Sequence, residues 1–568
     1  MRTNTETHFA NTPTLSIGRS KFDRPFDLKT SFNVGELVPI FCDQVIPGDS
    51  IKMKMSEVVR MMTPMVPVMD NLVADVFFFY VPWRLIWDHT KQFVGENDTA
   101  PWAQNVEYEI PQIQAPEAGW DVKSLAVYLG EPAKVGRLKT SALKFRAYCE
   151  IYNQWFRSEV TTAPVYIHRD DALTQGINAS QIASDDQTIY AEKGPKLLKA
   201  CKVFDYFTGA LISPQKGDAV QIPMGFAPVM FSTDNTAPVI GGIQTNPEPV
   251  QTGYDYNIAG IKTNANDGTT YRPMQGARDL GITETDGSYT EHNQILAKST
   301  DYYLWTDLTN VTGATITALR QAFAIQKFYE RAGLCGSRYG EVIRGHFSVT
   351  NPDYRNMIPE YLGGFRTPIS MNQSVQTSAT DNNSPLGNTG AYSVTVDRNG
   401  DVFSKSFTEW GIIMGLCTVR VQSRTYQQGQ NREWRKKKWT DFYWPEFANL
   451  SNQPIYFSEL EAKNSEAHNN RIFGYQEAWA EMRYAPNMVT GELRSDYEQP
   501  LDMWHYADWF DLTDPIFISK EFIEEPENNV KRTLAVQNHD MLFGDFYFAP
   551  TWTRPMPTYS IPGLIDHH

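Results

Sequence analysis

Two long apolar runs constrain the fold of this chain most strongly. Residues 76–81 read Val-Phe-Phe-Phe-Tyr-Val, and residues 410–419 read Trp-Gly-Ile-Ile-Met-Gly-Leu-Cys-Thr-Val. Neither run alternates between apolar and polar residues, so each is predicted to form a strand covered on both faces. Apolar and basic residues do alternate over residues 51–55, as in a strand with one buried face. Strands of both kinds occur together in sandwiches of two packed sheets.

The composition favours many short strands joined by irregular loops. Hydrophobic residues make up 41% of the 568 residues and aromatic residues 13%, with 37 Gly and 34 Pro. This balance fits a mainly β chain better than a helical bundle. The Asn399-Gly400 dipeptide is a common turn sequence, and we predict a hairpin there between strands at 392–396 and 402–407.

Three helices are predicted. One covers residues 124–131. The other two follow from apolar residues spaced three or four positions apart: Leu143, Ala147, Ile151 and Trp155 in one, and Ile316, Leu319 and Phe323 in the other. We expect both apolar stripes to pack into the core, where they cover the sandwich or bridge subunits.

Residues 225–310 differ in composition from the rest of the chain. From 232 to 310 there are ten acidic and four basic residues, a local net charge of −6, with many glycines and prolines. Loops of this length inside a compact domain are either functional or disordered. We interpret this segment as a surface insertion, and a flexible loop without a partner is the alternative.

No pattern in the sequence indicates catalysis. The five cysteines are far apart and predict buried, reduced thiols, and the ten histidines are scattered. Glu341 and Glu360 could be drawn as an acid pair, but acids beside strands more often belong to turns or interfaces. We predict no catalytic residue, no metal and no cofactor. The first 20 residues lack an apolar core, and no run approaches the roughly 20 apolar residues of a membrane span. Assembly in a reducing cytoplasm, without membrane insertion, is therefore expected.

The net charge of −15 means that any nucleic-acid contact must be local. Residues 19–29 are one basic candidate. The stronger candidate mixes cations with flat rings, which can bind single strands by phosphate pairing and base stacking. Its members are Arg420, Arg424, Arg432, Trp434, Arg435, Lys436, Lys437, Lys438 and Trp439. The alternative is a solvated loop whose tryptophans anchor a subunit contact.

The run Glu360-Tyr361-Leu362-Gly363-Gly364 is the most distinctive block of the chain. Adjacent glycines predict either a backbone closed to other residues or a permissive surface turn. Within the longer stretch 338–365, this run resembles a signature block of the major capsid proteins of gokushoviruses, small icosahedral phages with single-stranded DNA. Similar blocks lie at 22–26, 47–49, 61–70, 77–85, 142–157, 319–331 and 473–481.

The resemblance implies an eight-stranded antiparallel jelly roll with large loop and helical insertions. It divides the chain into an N-terminal arm (1–30), the first part of the roll (31–224), an insertion that forms a threefold protrusion (225–310) and the remainder of the roll (311–568). Sixty copies would form a T = 1 shell around circular single-stranded DNA. The implied partners are a small basic DNA-binding phage protein, a minor pilot protein and a host receptor such as a surface polysaccharide.

Aromatic segments are where we expect subunit contacts, because aromatic side chains dominate interface cores. They lie at 441–445, 503–510 and 543–548, and ordinary core packing is the alternative. A different class of function is a carbohydrate-active β-sandwich, a lectin or glycosidase, because 14 Trp and 28 Tyr with many acids suit sugar binding. A DNA-processing phage enzyme is less consistent with the sequence, which has no His-x-His motif.

Overall fold

The computed structural model describes residues 17–97, 107–182, 190–221, 315–375, 377, 389–510 and 517–560, together with short strands between 229 and 306. Two compact units are present. The first contains Met1–Asp218 and Phe328–His568, and the second contains Ala219–Lys327.

Strands account for most of the regular structure. In chain order they are β1 (Ser20–Asp23), β2 (Phe26–Phe32), β3 (Val38–Val45), β4 (Ser50–Met61), β5 (Leu72–Pro82), β6 (Gln112–Gln114), β7 (Lys139–Ser141), β8 (Thr174–Gln175), β9 (Val229–Met230), β10 (Tyr254–Asn257), β11 (Gly260–Thr263), β12 (Gly281–Thr283), β13 (Tyr289–Glu291), β14 (Trp305–Thr306), β15 (Glu360–Val375), β16 (Thr389–Ser406), β17 (Gly411–Val421), β18 (Asn452–Tyr456), β19 (Ile472–Glu477), β20 (Leu542–Phe548) and β21 (Thr551–Arg554).

The α-helices are mostly short. They are α1 (Thr90–Phe93), α2 (Leu125–Tyr128), α3 (Leu143–Ile151), α4 (Ile316–Leu334), α5 (Tyr339–Phe347), α6 (Asp353–Asn356), α7 (Phe457–Leu460), α8 (Glu466–Asn469), α9 (Lys520–Ile523) and α10 (Asn528–Lys531). Helix α3 continues into a π-helical turn, Tyr152–Phe156.

The first unit is built on one antiparallel sheet of ten strands in the order β1-β21-β4-β16-β15-β5-β17-β3, with β20 paired to both β2 and β4. Strand β15 joins two groups of strands, because residues 360–369 pair with β5 and residues 370–375 pair with β16. The prediction of a mainly β chain with antiparallel sheets is confirmed.

Burial along the central strands follows the sequence pattern. Strand β5 is buried at every position except Phe77, and β17 at every position except Arg420. Strand β4 alternates between buried and more exposed positions. The π-helical turn after α3 helps to cover the second face of the sheet, where Phe156 lies 5.3 Å from Phe77 and Trp155 lies 5.4 Å from Phe79 between ring centroids. The covered strands that the apolar runs predict are therefore present.

The helices agree with the sequence only in part. Leu143, Ala147 and Ile151 are buried in α3 as predicted, whereas Trp155 is about two-fifths exposed. In α4, Ile316 and Phe323 are 70% and 66% exposed. The prediction that this second stripe packs into the core is wrong within a single chain, because amphipathic spacing specifies a face but not what covers it.

The predicted hairpin at Asn399-Gly400 is also wrong. Strand β16 runs without interruption through both residues, and Asn399 and Gly400 pair with Ser56 and Met55 of β4. A bulge between Asp401 and Phe403 is the only irregularity in this pairing. The long neighbouring strand β4 supplies a continuous hydrogen-bonding edge, which overrides the local preference for a turn.

The cysteine prediction holds for two residues. Cys149 and Cys417 are buried, Cys201 and Cys335 are partly exposed, and Cys42 is exposed. Cys42 lies on the edge strand β3, where alternate side chains face solvent.

Among the residues that the structure describes, the second unit contains three two-stranded antiparallel pairs: β9 with β14, β10 with β11, and β12 with β13. Most of the acidic insertion predicted at 225–310 lies outside the described residues. Residues 20–23 and 26–30 of the predicted N-terminal arm (1–30) lie in β1 and β2 of the main sheet.

Candidate nucleic-acid and assembly interface

Arg420 is the first of the predicted DNA-binding residues. It shares an ion pair with one buried carboxylate, to which a second arginine also binds. Its Nε is 3.1 Å from Oδ2 of Asp75 on the neighbouring strand β5. Nε of Arg366 is 2.6 Å from Oδ1 of the same carboxylate, and Asp75 is almost fully buried. The two guanidinium groups stabilise a buried charge within the sheet, so Arg420 is not available to a phosphate group.

Arg424 is buried in a second ionic network. Its guanidinium donates to Asp508, with Nη1 3.2 Å from Oδ1, and to Glu525. Nζ of Lys202 lies 3.5 Å from Oδ2 of Asp508. Burial by itself would raise the pKa of Asp508, but the charges of Arg424 and Lys202 hold that pKa below its usual value. Arg420 and Arg424 both neutralise buried carboxylates within the subunit, so the proposed DNA contact does not include them.

Arg432 and Lys436 each form an ion pair within the subunit. Nη1 of Arg432 is 3.0 Å from Oε1 of Glu459, and Nζ of Lys436 is 3.7 Å from Oε1 of Glu481. Burial raises the pKa of Glu459, and Arg432 opposes that rise. Arg435 stacks its guanidinium over Tyr456 at 4.4 Å. These contacts hold the chain over residues 432–436 against strand β18 and helix α7.

Lys437 and Lys438 are the free cations of the segment. Both side chains are exposed, and within the described part of the chain neither ammonium group forms an ion pair. Their backbone N–H groups donate to Oδ2 of Asp441 at 2.9 and 2.8 Å, which fixes the turn. These hydrogen bonds lower the pKa of Asp441. The two ammonium groups can therefore meet a phosphate without breaking an internal contact.

The rings beside these lysines form an exposed aromatic surface. Trp434 is 81% exposed and Trp439 is 68% exposed. The indole of Trp444 donates from Nε1 to the carbonyl oxygen of Trp439 at 3.0 Å, and Phe447 stacks on Trp439 with centroids 6.2 Å apart. We define the aromatic surface as Trp434, Trp439, Phe442, Tyr443 and Trp444, all exposed. Such rings can stack on bases or pack against another subunit.

The basic candidate at 19–29 is partly neutralised. Arg24 is paired with Asp43 at 2.6 Å, and Lys29 lies 3.5 Å from Asp545. Arg24 also lies over the ring of Trp552 in the C-terminal strand β21. These contacts tie the first strands to the main sheet.

The signature block forms the start of β15 and not a surface turn. Gly363 has φ +153° beside a bulge between Tyr361 and Gly363, in the ladder with β5. A Cβ atom on Gly364 would lie 2.1 Å from the carbonyl oxygen of Val76. Two side chains complete the block: Glu360 pairs with Lys405 at 2.8 Å, and the Tyr361 ring lies 5.6 Å from that of Phe79. Leu362 packs, partly buried, against the main core.

The three aromatic segments have different environments. Residues 441–445 expose their rings, as an interface would require. In 503–510, His505, Tyr506, Ala507 and Asp508 are buried. In 543–548 the side chains alternate, with Phe546 and Phe548 in the core and Phe543 and Tyr547 exposed. Core packing thus accounts for residues 505–508 and for one face of 543–548.

The part of the chain that the structure describes contains no group of three or more His, Cys, Asp or Glu side chains arranged to hold a metal ion. Within the same residues, no helix has the combination of length and apolar character needed to cross a bilayer.

Comparison with known proteins decides between the possible functions. The chain matches the family model for the phage "Capsid protein (F protein)" over residues 10–564. The chain belongs to this capsid protein family. It is 36% identical over 565 residues to capsid protein VP1 of Bdellovibrio phage phiMH2K, which covers 98% of this chain and 97% of the relative.

Two further relatives of the capsid protein match at similar length. Capsid protein VP1 of Spiroplasma virus 4 is 36% identical over 560 residues, with 96% of each chain covered. Capsid protein VP1 of Chlamydia phage 1 is 34% identical over 596 residues, covering 98% of this chain and 97% of the relative. These relatives come from gokushoviruses, which confirms the resemblance drawn from the signature blocks.

The capsid protein is thus a structural subunit of the virion, and its family membership implies self-assembly into a shell. The carbohydrate-active alternative is not supported by these matches, since the family and the relatives are structural capsid proteins and not enzymes.

Proposed function

We propose that sixty copies of this chain form a T = 1 icosahedral shell around circular single-stranded DNA. The observation that carries the proposal is the whole-length match to viral capsid proteins together with an aromatic surface that a monomer would leave exposed. Large exposed apolar patches are uncommon on monomeric soluble proteins and mark interaction sites.

The jelly roll is the finer part of this proposal. Eight of the ten strands in the main sheet have seven or more residues: β2, β3, β4, β5, β15, β16, β17 and β20. We assign these eight to the roll. The four-residue strands β1 and β21 pair with each other at its edge and are additions to it.

DNA binding is proposed for a smaller set of residues than the sequence indicates. Lys437, Lys438, Trp434 and Trp439 are exposed on one segment, with Arg435 beside them. With a net charge of −15, the subunit can neutralise little of the genome through this set. We therefore propose that a small basic phage protein supplies most of the counter-charge and that a minor pilot protein is also packaged.

The DNA contact is tested with Lys437→Gln/Lys438→Gln. Particles of normal size should form, seen by electron microscopy, but they should retain less DNA. The slope of log DNA retention against log salt should fall by about 1.4, because each phosphate contact to a single strand contributes about 0.7. The control is Lys134→Gln/Lys139→Gln, two exposed lysines with the same charge change. Equal DNA content in the two variants would contradict the assignment.

We also propose that the insertion at 225–310 forms a protrusion at the threefold axes and contacts a host receptor such as a surface polysaccharide. The chain is close together near both ends of this insertion, since Met230 of β9 pairs with Trp305 of β14. Loop-closure cost grows slowly with length, so a short linker should be tolerated here.

Replacing residues 232–309 by a short Gly-Ser linker tests this role. We expect particles that assemble but do not attach to host cells, measured by cell-binding of purified particles. A replacement variant that attaches normally would rule out the attachment role, and a subunit that does not fold would place the segment in the core.

A further inference from the structure

A groove separates the basic segment from strand β18. Its walls are residues 432–441 on one side and residues 450–456 on the other, and its volume is about 790 Å³. Small-ligand sites in proteins have volumes of about 300–1,000 Å³. Nη1 of Arg432 donates to the carbonyl oxygen of Pro454 at 2.6 Å, which ties the two walls together. We call this the β18 groove, and its lining includes Arg435, Lys437, Thr440, Asn452 and Trp479.

The β18 groove suits an anionic ligand although it contains acids. Four cations and three acids line it, which gives a net charge of +1. The carboxylates of Glu459 and Glu481 are ion-paired with Arg432 and Lys436. Asp441 accepts hydrogen bonds from the backbone of the basic segment. The ammonium group of Lys437 therefore remains available to a phosphate that enters the groove.

Asn452 presents an oriented acceptor to the same groove. Its Nδ2 donates to the carbonyl oxygen of Pro214 at 2.7 Å, which fixes the orientation of the side-chain amide. Its Oδ1 is buried and has no hydrogen-bond partner in the part of the chain that the structure describes. A buried acceptor without a partner is costly. A ligand that donates a hydrogen bond to this oxygen would remove that cost.

An anionic group beside a hydrogen-bond donor and a flat ring describes a nucleotide. Leu450 is 56% exposed and lines the groove together with Trp479, so apolar surface is present for the face of a base. Cytosine and adenine carry an exocyclic amino group on the base edge, whereas thymine carries the carbonyl oxygen O4 there. Thymine would therefore place one acceptor against another at Asn452.

We propose that the β18 groove binds one nucleotide of the packaged single strand. The phosphate lies at Lys437, and the exocyclic amino group of the base donates to Oδ1 of Asn452. This inference rests on the proposed DNA contact of residues 437 and 438 and adds base recognition to it. Phosphate contacts alone carry no sequence information, whereas the Asn452 contact favours cytosine or adenine over thymine.

The affinity of the full-length soluble subunit for two oligonucleotides tests the base preference. The probes are oligo(dC) and oligo(dT) of about eight nucleotides, a length typical of single-strand sites. They have the same backbone and the same ring size, and binding is measured by fluorescence anisotropy. Wild type should bind oligo(dC) at least about fivefold more tightly, which is the effect of one hydrogen bond.

Two variants of the groove should lose this preference. Asn452→Leu removes the acceptor, and the affinity ratio should fall below about twofold while the salt dependence of binding stays unchanged. Thr440→Trp obstructs the groove from an exposed position without changing its charge and should have the same effect on the ratio. Circular dichroism confirms folding, so Thr440→Trp keeps the test valid if Asn452→Leu does not fold.

Asn487→Leu is the matched control. The amide of Asn487 also donates to a backbone carbonyl, that of Arg424 at 3.0 Å, but it does not line the groove. This variant should keep the preference of wild type for oligo(dC).

Equal affinity of wild type for the two probes overturns base recognition, as does an unchanged preference in folded Asn452→Leu and Thr440→Trp. The proposed DNA contact is tested separately with Lys437→Gln/Lys438→Gln, which should weaken binding of both probes equally. If that variant binds both probes as tightly as wild type, the proposed contact itself fails. Weaker binding by the lysine variant without any base preference in wild type rejects the nucleotide site alone.

Discussion

The close approach of strands β15 and β5 at Gly364 gives the most quantitative prediction. An added Cβ atom would lie 2.1 Å from the carbonyl oxygen of Val76, whereas real Cβ atoms essentially never come closer than 3.0 Å. The two strands would therefore have to separate by about 0.9 Å at this point. Overpacking of this kind costs about 1–3 kcal/mol. Loss of one neighbouring ladder hydrogen bond adds about 1 kcal/mol.

Gly364→Ala should thus lower the free energy of unfolding of the soluble subunit by about 2–4 kcal/mol. The assay is urea denaturation followed by tryptophan fluorescence, with particle yield measured in parallel. Gly400→Ala is the matched control, since it adds the same methyl group to a strand of the same sheet where nothing lies within 4 Å. That variant should stay within about 0.5 kcal/mol of wild type or become slightly more stable.

Equal unfolding midpoints for Gly364→Ala and Gly400→Ala would refute this reasoning. It would mean that β15 moves away from β5 at little cost. The signature glycines would then be features of ancestry with no part in the packing of the sheet.

The buried network around Asp508 gives the remaining predictions. Because the folded-state pKa of Asp508 is depressed, its contribution to stability is present above the unfolded pKa of about 3.9 and is lost as pH falls through the folded value. The difference in unfolding free energy between wild type and Asp508→Asn, measured by urea titration, should be constant from pH 7 to 5 and shrink below about pH 4. Arg424→Met should cost about 3–5 kcal/mol by leaving Asp508 and Glu525 without their main partner, whereas Lys437→Met should cost less than about 0.5 kcal/mol. A small effect of Arg424→Met in the same assay would contradict the buried pairing.

The local sequence predicted the central strands because each strand is an apolar run. Residues 76–81 are all apolar, and so are most of residues 410–419. Both faces of each strand must therefore be covered in any packing arrangement. The helical spacing of Leu143, Ala147 and Ile151 predicted α3. It did not predict the environment of α4, because amphipathic spacing specifies a face of a helix but not what covers that face.

The hairpin error has a related cause. Asn399-Gly400 has the local chemistry of a turn, but the ladder with residues 55 and 56 is formed by a strand more than 300 positions away. A turn preference worth little free energy cannot compete with a continuous edge of hydrogen bonds.

The sequence by itself determined the family, the covered strands and the absence of any recognisable catalytic motif. Only the tertiary structure decided which cations of the basic segment are free. Arg420 and Lys437 are equally basic in sequence, yet Arg420 meets Asp75, a residue 345 positions away, whereas Lys437 faces solvent. One signal was available, since Asp75 is a lone acid within the apolar strand β5 and a buried carboxylate requires a partner. Which arginine meets it depends on strand order, because the pairing of β5 with β17 and β15 brings Arg420 and Arg366 to its two sides.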